Sequence, residues 1–367
     1  MYRLIFMNMR RPHLMAGVFE NHDKSKFDIT AISIGPNDDS PMRRRLEGSF
    51  EKFVDARALG DAEVARQIRA AGIDILIDLK GFTADARTNI FAHRAAPIQV
   101  NYLGYPGTMG ASYFDYIIAD SIVIPTSHQG SYSEKIVSLP NSYQANDARR
   151  NISDKTFTRA ECGLPGRGFV FCCFNNNYKF TPGNFDSWMR ILKSVEGSVL
   201  WLLEDNATAG ANIRKEAGVR GIDPARLVFA ERMPPSDHLA RHRVADLFLD
   251  TLPYNAHTTA SDALWAGLPI LTEIGQTFAG RVAASLLNAL DLTELITHSQ
   301  DEYEKTAIDL ATNAARLALI RDKLDRNRLS APLFNTNGFT RDIEAAYTAM
   351  HERHRAGLAP DHILVPN

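Results

Sequence analysis

Short apolar runs alternate with amphipathic helical segments along this chain, and that alternation restricts it to parallel α/β units. In the first half the runs at 27–34, 74–79, 98–103, 116–119 and 135–139 read as strands, with helical patterns at 61–71 and 86–94 among them. In the second half the strands are 170–174, 198–203, 227–230, 247–250 and 269–272. The helical patterns there include 185–195, 236–243, 259–265 and 280–290. No self-similarity appears at periods of roughly 20–50 residues, which argues against a repeat array. Between the halves, 142–168 is polar and charged and carries Asn-Ile-Ser-Asp and Pro-Gly-Arg-Gly, so it reads as a linker. The expected organisation is a first domain over 1–155 and a second over 156–367, whose terminal helices pack back toward the first. Paired α/β domains hold ligands at the carboxyl ends of their strands. Each polar motif described next follows a predicted strand.

The most informative motif is Asp250-Thr-Leu-Pro-Tyr-Asn-Ala-His257-Thr258-Thr259-Ala-Ser-Asp262. It reads as a strand end, a turn and a helix start. A helix N-terminus offers unpaired N–H groups and partial positive charge, which suit a phosphate. Asp262 lies one turn after Thr258 on the same face, its carboxylate free to accept from a ribose hydroxyl. The threonines would equally serve as plain helix caps, and spacing alone does not choose.

Phe174-Asn-Asn176-Asn-Tyr-Lys179 follows the first strand of the second domain. A lysine there could neutralise charge on a departing phosphate, and an ordinary solvated loop lysine would look the same. Met233-Pro-Pro-Ser236-Asp237-His238-Leu-Ala-Arg241 gives a turn and a helix capped by Ser236 or Asp237. His238 and Arg241 share a face and could stack on a base and touch a phosphate, or merely decorate an exposed first turn. The turns Asp78-Leu-Lys-Gly-Phe-Thr83 and Leu103-Gly104-Tyr-Pro-Gly-Thr-Met-Gly110 are glycine-bearing and permit close backbone approach to a ligand.

Composition narrows the partners. With 367 residues and a formal net charge of -2, no overall basic field draws the chain to nucleic acid or to a membrane. No apolar run approaches the roughly 20 residues of a membrane-spanning helix, and the first twelve residues are not a signal peptide. Three cysteines, two of them adjacent, form neither a disulfide framework nor a metal spacing. A reduced, cytoplasmic protein is expected. There is no Asp-x-Asp triplet, no Gly-x-Ser-x-Gly elbow and no Walker loop. A divalent metal on the diphosphate is therefore not expected, and the oligomeric state is left open.

Several longer strings resemble the protein O-linked N-acetylglucosamine transferases and their SPINDLY-type relatives. They are Ala95-Ala-Pro-Ile-Gln-Val-Asn-Tyr-Leu-Gly-Tyr-Pro-Gly-Thr108, Phe114-Asp-Tyr-Ile-Ile-Ala-Asp120, Tyr178-Lys179, His257-Thr-Thr259, Ala263-Leu-Trp-Ala-Gly-Leu-Pro269 and Gly280-Arg-Val-Ala-Ala-Ser285. The resemblance runs from about His13 onward. It implies the GT-B architecture, two Rossmann-like domains facing across a cleft. It also implies an inverting, metal-independent transfer of N-acetylglucosamine from the UDP-sugar to Ser or Thr of a protein or peptide acceptor. By position, Lys179 would stabilise the leaving diphosphate, with Asn176 close to the phosphates where the family has glutamine. Thr258 and Thr259 would hold the diphosphate and Asp262 the ribose. His238 would lie against the uracil, with the backbone near Met233 reading its edge. Gly104, His257 and Thr83 would border the sugar. The general base is not assigned.

Four departures qualify the resemblance. The family's His-Pro pair has no counterpart in Met7-Asn-Met-Arg-Arg-Pro12. Lys80 replaces an asparagine. Tyr254 stands in the N-acetyl pocket where some members have a small residue. The tetratricopeptide array is absent from this sequence. The alternatives are a GDP-fucose-type donor, disfavoured by His257-Thr-Thr, a UDP-binding remnant without transfer, and a sugar-nucleotide epimerase.

Overall fold

The structure is a computed structural model and describes residues 1–7 and 12–366. The chain divides into two compact units, Met1–Arg149 with Pro332–Asn367, and Arg150–Ala331. The division falls at 149/150, where the sequence pointed to 155/156, and the last 36 or so residues count with the first unit. In chain order the first unit has β1 (Tyr2–Met7), α1 (Pro12–Asn21), β2 (Phe27–Ser33), α2 (Pro41–Glu47), β3 (Lys52–Asp55), α3 (Asp61–Ala70), β4 (Ile75–Asp78), α4 (Asn89–Ala92), β5 (Ile98–Asn101), β6 (Tyr116–Asp120) and β7 (Lys135–Leu139). The second unit has β8 (Val170–Cys173), α5 (Pro182–Ser194), β9 (Val199–Leu203), α6 (Ala207–Val219), β10 (Leu227–Ala230), α7 (Pro235–Arg241), β11 (Leu247–Leu249), α8 (Thr258–Trp265), β12 (Ile270–Glu273), α9 (Val282–Ala289), β13 (Ile296–Thr297), α10 (Gln300–Thr312) and α11 (Ala314–Ser330). The chain returns to the first unit with α12 (Thr336–Arg355) and β14 (Ile363–Leu364).

Both sheets are parallel. The first runs β14-β7-β6-β5-β4-β1-β2-β3 and the second β10-β9-β8-β11-β12-β13. Each sheet reverses its direction of growth once, between β1 and β4 and between β8 and β11. Ligands of doubly wound sheets sit beyond the carboxyl ends of the strands at such a reversal. The expected strands all form, with ends within a residue or two. β1 is an addition: Leu4, Ile5, Phe6 and Met7 are buried at the centre of the sheet. Phe6 meets Phe19 of α1 and Tyr347 of α12, while Ile5 and Met7 join the core built by α3 and α4. The place of the missing His-Pro pair, residues 8–11, lies outside the described residues.

Two expectations need correction. The helix at 86–94 shrinks to the single turn α4, between positive φ values at Asp85 (60°) and Arg94 (51°). Arg87 works against a longer helix, because its guanidinium ties the segment to Asp61 Oδ1 (2.7 Å) and to the Ala56 carbonyl (2.9 Å). The supposed linker begins as interior: Ser142 through Asp147 are all buried. Several of its polar groups are paired with residues distant in sequence, although Asn146 Oδ1 finds no hydrogen-bond partner among the described residues. Tyr143 N donates to Asp120 (2.7 Å), Thr336 Oγ1 donates to the Asn146 carbonyl (2.9 Å), and Tyr102 O–H donates to the Tyr143 carbonyl (2.8 Å). Arg45 grips Glu20 in a bidentate pair (2.7 and 2.8 Å) and also donates to the fully buried Asp147. Polarity misleads here because a paired buried group costs far less than an unpaired one.

The second unit is organised at its reversal point by Asp250, 3% exposed. Its Oδ1 accepts from Thr251 N (2.7 Å) and Ala256 N (2.6 Å), and its Oδ2 accepts from Thr272 Oγ1 (2.7 Å). Asn175, 1% exposed at the end of β8, donates to Thr251 Oγ1 (2.9 Å) and accepts from Thr259 Oγ1 (2.6 Å). One carboxylate and one amide thus fix the turn between β11 and α8. Burial pushes the Asp250 carboxyl up to about 6 against the hydrogen bonds that favour its charge.

Two outcomes follow from these contacts. Arg45→Met leaves Asp147 buried without its cation, and the urea transition of the first unit should report a loss of about 3 kcal/mol. The Asp250 carboxyl holds its proton more tightly folded than unfolded, where the ordinary value is 3.8. Its contribution is therefore fully present below about pH 4 and lost as the pH rises through about 6. Asp250→Asn keeps an oxygen for the two backbone donors and removes that titration. Measured against this variant, the parent should gain up to about 3 kcal/mol as the pH falls from 6 to 4. A pH-independent difference would contradict the assignment.

Candidate functional site

In the second unit, the turn after β8 and the turn after β11 meet at the sheet reversal. β8 ends in the buried Cys172 and Cys173, and Phe174 and Asn175 beyond it are also buried, so the polar run leaves the core only at Asn176. Asn176 is half-buried and opens the short turn Asn177–Lys179, while Tyr178 is exposed. This turn carries Lys179 back over the second loop. Its Nζ donates to the Asn255 carbonyl at 2.7 Å and stands 4.4 Å from the Tyr254 ring centroid.

His257 is the N-cap of α8 and supplies no side-chain cap, so Thr258 and Thr259 are its first two helical residues and not its caps. The first turn carries no acidic side chain. Its N–H groups have no intrahelical acceptor, and the helix dipole adds positive character there. The His257 ring stacks on Tyr254 (4.7 Å, 22°), and Nε2 lies 3.1 Å from the Ala279 carbonyl. Thr258 is half-buried. The Thr259 hydroxyl is spent on Asn175, so its part is to join the two loops.

The carboxylate of Asp262 is engaged, contrary to the free acceptor expected. Arg150, with 8% of its side chain exposed, pairs with Oδ1, and Asp262 keeps 26% exposure. Trp265 Nε1 donates to the Arg150 carbonyl at 3.2 Å and helps to hold that arginine. The pairing aims the carboxylate without covering it.

A third segment follows β10. Met233 is half-buried in the turn, and α7 begins at Pro235 with no side-chain cap. Ser236 and Asp237 therefore lie inside the first turn and do not cap it, because a proline at the first helical position already fits there. His238 packs its ring on Phe174 (5.2 Å) and His242 (4.7 Å). Burial pushes its imidazole down to about 2, so it is neutral at pH 7 and can lie flat on a base without charge. Arg241 is a correction: it is 1% exposed and points inward, not outward on an exposed face. Its Nη1 donates to the Glu231 carbonyl (2.6 Å), and its guanidinium lies over Phe174 (5.0 Å) and Trp201 (5.7 Å).

In the first unit the turns after β4 and β5 pack on one another. A Cβ at Gly104 would sit 2.2 Å from the Leu79 carbonyl oxygen, and one at Gly81 (φ +56°) would sit 2.4 Å from Tyr105 Cβ. The close approach read from these glycines is between the turns themselves. Glu134, 1% exposed, holds the second turn by accepting from Thr108 Oγ1 and Met109 N, both at 2.6 Å. Thr83 is half-buried, its N–H donating to the Gly81 carbonyl (2.8 Å), and the exposed Phe82 meets Tyr105 edge-on. Asp78 accepts from Lys80 N (2.9 Å), and burial raises its carboxyl.

Asp250, Arg150 and Glu134 tie these loops and received no role in the sequence reading, and Asn175, read only as one of several asparagines that could donate to a phosphate, ties them too. A charged residue closing the apolar run Leu247-Phe-Leu-Asp250 was the available signal for one of them. The others are recognisable only through partners distant in sequence.

The chain is similar to known proteins along nearly its whole length. The model of glycosyl transferase family 41 matches residues 4–156 and 154–343. The Arabidopsis thaliana protein "Probable UDP-N-acetylglucosamine–peptide N-acetylglucosaminyltransferase SEC" is 38% identical over 366 residues, covering 98% of this chain and 38% of its own length. The Caenorhabditis elegans UDP-N-acetylglucosamine–peptide N-acetylglucosaminyltransferase is 29% identical over 470 residues, covering 98% of this chain and 41% of that protein. The chain thus spans less than half the length of these relatives. Among solved structures, a mutant O-GlcNAc transferase of Thermobaculum terrenum superposes with a TM-score of 0.89 at 30% identity, over 97% of this chain and 68% of that one. A Rickettsia africae glycosyltransferase shares the fold alone, with a TM-score of 0.62 at 9% identity over 95% and 98% of the two chains. Two doubly wound parallel sheets, the loops gathered at their reversal points and the match along nearly the whole length together make this chain a member of glycosyl transferase family 41, with the GT-B fold.

Proposed function

We propose that this chain is an inverting glycosyltransferase that moves N-acetylglucosamine from UDP-N-acetylglucosamine to a Ser or Thr hydroxyl of a protein or peptide, without a metal. The observation that carries the reading is Lys179. Its ammonium is held by a carbonyl and an aromatic ring two to three residues before the N-cap of α8. A fixed positive charge beside the positive end of a helix suits a diphosphate whose charge grows as the sugar leaves. The names of the family members quoted above support the donor and the acceptor class.

In this reading the acceptor oxygen attacks the anomeric carbon and the bond from that carbon to the diphosphate breaks. UDP departs with the electron pair, and the acceptor proton passes to a base that remains unassigned. Lys179, the first turn of α8 and the Thr258 hydroxyl stabilise the departing diphosphate. Asn176 stands near the phosphates. Asp262, aimed by Arg150, accepts from the ribose. Neutral His238 lies on the uracil and the backbone near Met233 reads its edge. Arg241 supports that wall from within through Phe174. His257 borders the sugar. The chain works in the cytoplasm, where UDP-sugar and protein hydroxyls coexist.

Two variants test this. Lys179→Ala should lower UDP release from UDP-N-acetylglucosamine about a hundredfold or more, with UDP affinity by calorimetry within about tenfold of the parent. Turnover equal to the parent would remove the lysine from the reaction. Asp262→Ala should act chiefly on binding and weaken UDP about tenfold, the worth of one charged hydrogen bond. An unchanged UDP affinity would refute the ribose contact.

A further inference from the structure

A cavity of about 250 Å³ lies in the second unit between the start of α5, the loop 250–253, the end of β12 and the start of α10. Lys179, His257, Thr258 and Asp262 take no part in its lining, so it is separate from the loop assigned to the diphosphate. Its walls are tied to one another. The Asn184 amide oxygen accepts from Leu252 N, Gln300 Nε2 donates to the Gly183 carbonyl (3.2 Å), and Tyr303 O–H donates to the Asp250 carbonyl (3.0 Å). A cavity bounded by cross-tied segments is preformed, as sites for small molecules usually are.

Glu273 ends β12 and lines this cavity, half-buried. Burial raises its carboxyl above the ordinary value, and no neighbouring cation brings it back down. The other acids close by are engaged. Asp250 accepts from Thr251 N, Ala256 N and Thr272 Oγ1, and Glu304 receives Arg190 in a bidentate pair (2.9 and 2.7 Å). Leu252, Pro253 and Tyr303 add apolar wall beside the one unspent carboxylate. Among the described residues no three His, Cys, Asp or Glu come together to hold a metal ion.

We infer that this cavity binds a small organic cation, an alkyl ammonium or guanidinium, whose charge pairs with Glu273 and whose carbon chain lies on Leu252 and Pro253. The volume equals that of about eight water molecules, which sets the size of the occupant. A partly desolvated carboxylate gains most from a partner that brings opposite charge and N–H donors together. A neutral occupant would leave that charge unmet, and a hard metal ion would need more oxygen ligands than one carboxylate. The inference goes beyond the proposed transfer and does not depend on it.

1-Pentylamine and its neutral isostere 1-pentanol test the site on the full chain. Leucine methyl signals are followed by NMR, with Leu252 assigned through Leu252→Ile. The amine should shift the Leu252 signal saturably with a Kd of about 1 mM, the range expected for so small a ligand, and pentanol should bind at least about tenfold more weakly. Glu273→Gln should abolish the preference for the amine. Its urea midpoint should equal or exceed that of the parent, because the variant removes a carboxylate that has no partner within the chain. Gly183 lines the cavity, and a Cβ there meets nothing closer than Thr181 Oγ1 at 3.9 Å, so Gly183→Leu should fill the space, keep the fold and abolish the shift. Equal affinity for pentanol, amine binding unchanged in either variant, or a lowered midpoint in Glu273→Gln would overturn the inference. So would the absence of a saturable shift at about ten times the expected Kd, or displacement of the amine by UDP. A chain that binds the amine and turns over no UDP-sugar would refute the proposed transfer and leave this site standing.

Discussion

The second unit depends on a carboxylate that its surroundings would rather keep neutral. Asp250 is buried at the reversal of the sheet, and desolvation raises its carboxyl to about 6. It stays in place because the turn after β11 has no other acceptor for Thr251 N and Ala256 N. Leaving those groups unmet in the interior would cost more than the ionised carboxyl does. Thr272 on the neighbouring strand closes the arrangement. The path of 250–257, and with it the start of α8, follows from that side chain together with Asn175. So does the height at which Tyr254, Asn255 and His257 present themselves to Lys179.

The first unit solves the same problem with a different element. Glu134 is almost fully buried and receives Thr108 and Met109 from the glycine-bearing turn. Gly104 lets that turn lie directly on the Leu79 carbonyl. In both units a loop beyond a strand end is tied down by a buried acid, at the start of the loop itself in the second unit and beyond the next strand in the first. Loops that carry function are ordinarily mobile, and a ligand site on them needs such ties to hold its geometry.

How much of this could be read from residues varies with the range of the interaction. The strands announced themselves because continuous apolar runs are local, and 98–103, 170–174 and 247–250 fall where β5, β8 and β11 form. β1 escaped because a six-residue run next to charged residues has too little context, although four of its six residues are buried. Lys179, His257 and Asp262 were found as motif residues, yet their states were not legible. Nothing local says that Asp262 meets Arg150, 112 positions earlier, or that Thr259 is bound to Asn175, 84 positions earlier. Arg241 was misread for a related reason. Its spacing to His238 marks a shared face, but the face turns inward onto Phe174 and Trp201, and periodicity alone cannot tell which side of a short helix is covered.

The cations of the second unit show what its loops are built to receive. Lys179 is held by a carbonyl and a ring. Arg241 is held by a carbonyl and two rings, and its Nε and Nη2 have no hydrogen-bond partner among the described residues. Burial without a counter-ion lowers its guanidinium to about 10, a cost the fold carries without compensation. With 43 acidic residues in the chain, carboxylates are plentiful enough to have paired Arg241. Arg150 shows the contrast, since it does take a carboxylate, that of Asp262. In the proposed reading, the Lys179 ammonium near the N-terminus of α8, with the Asp262 carboxylate a turn further on, suits an anion that also carries donors. A nucleoside diphosphate has both.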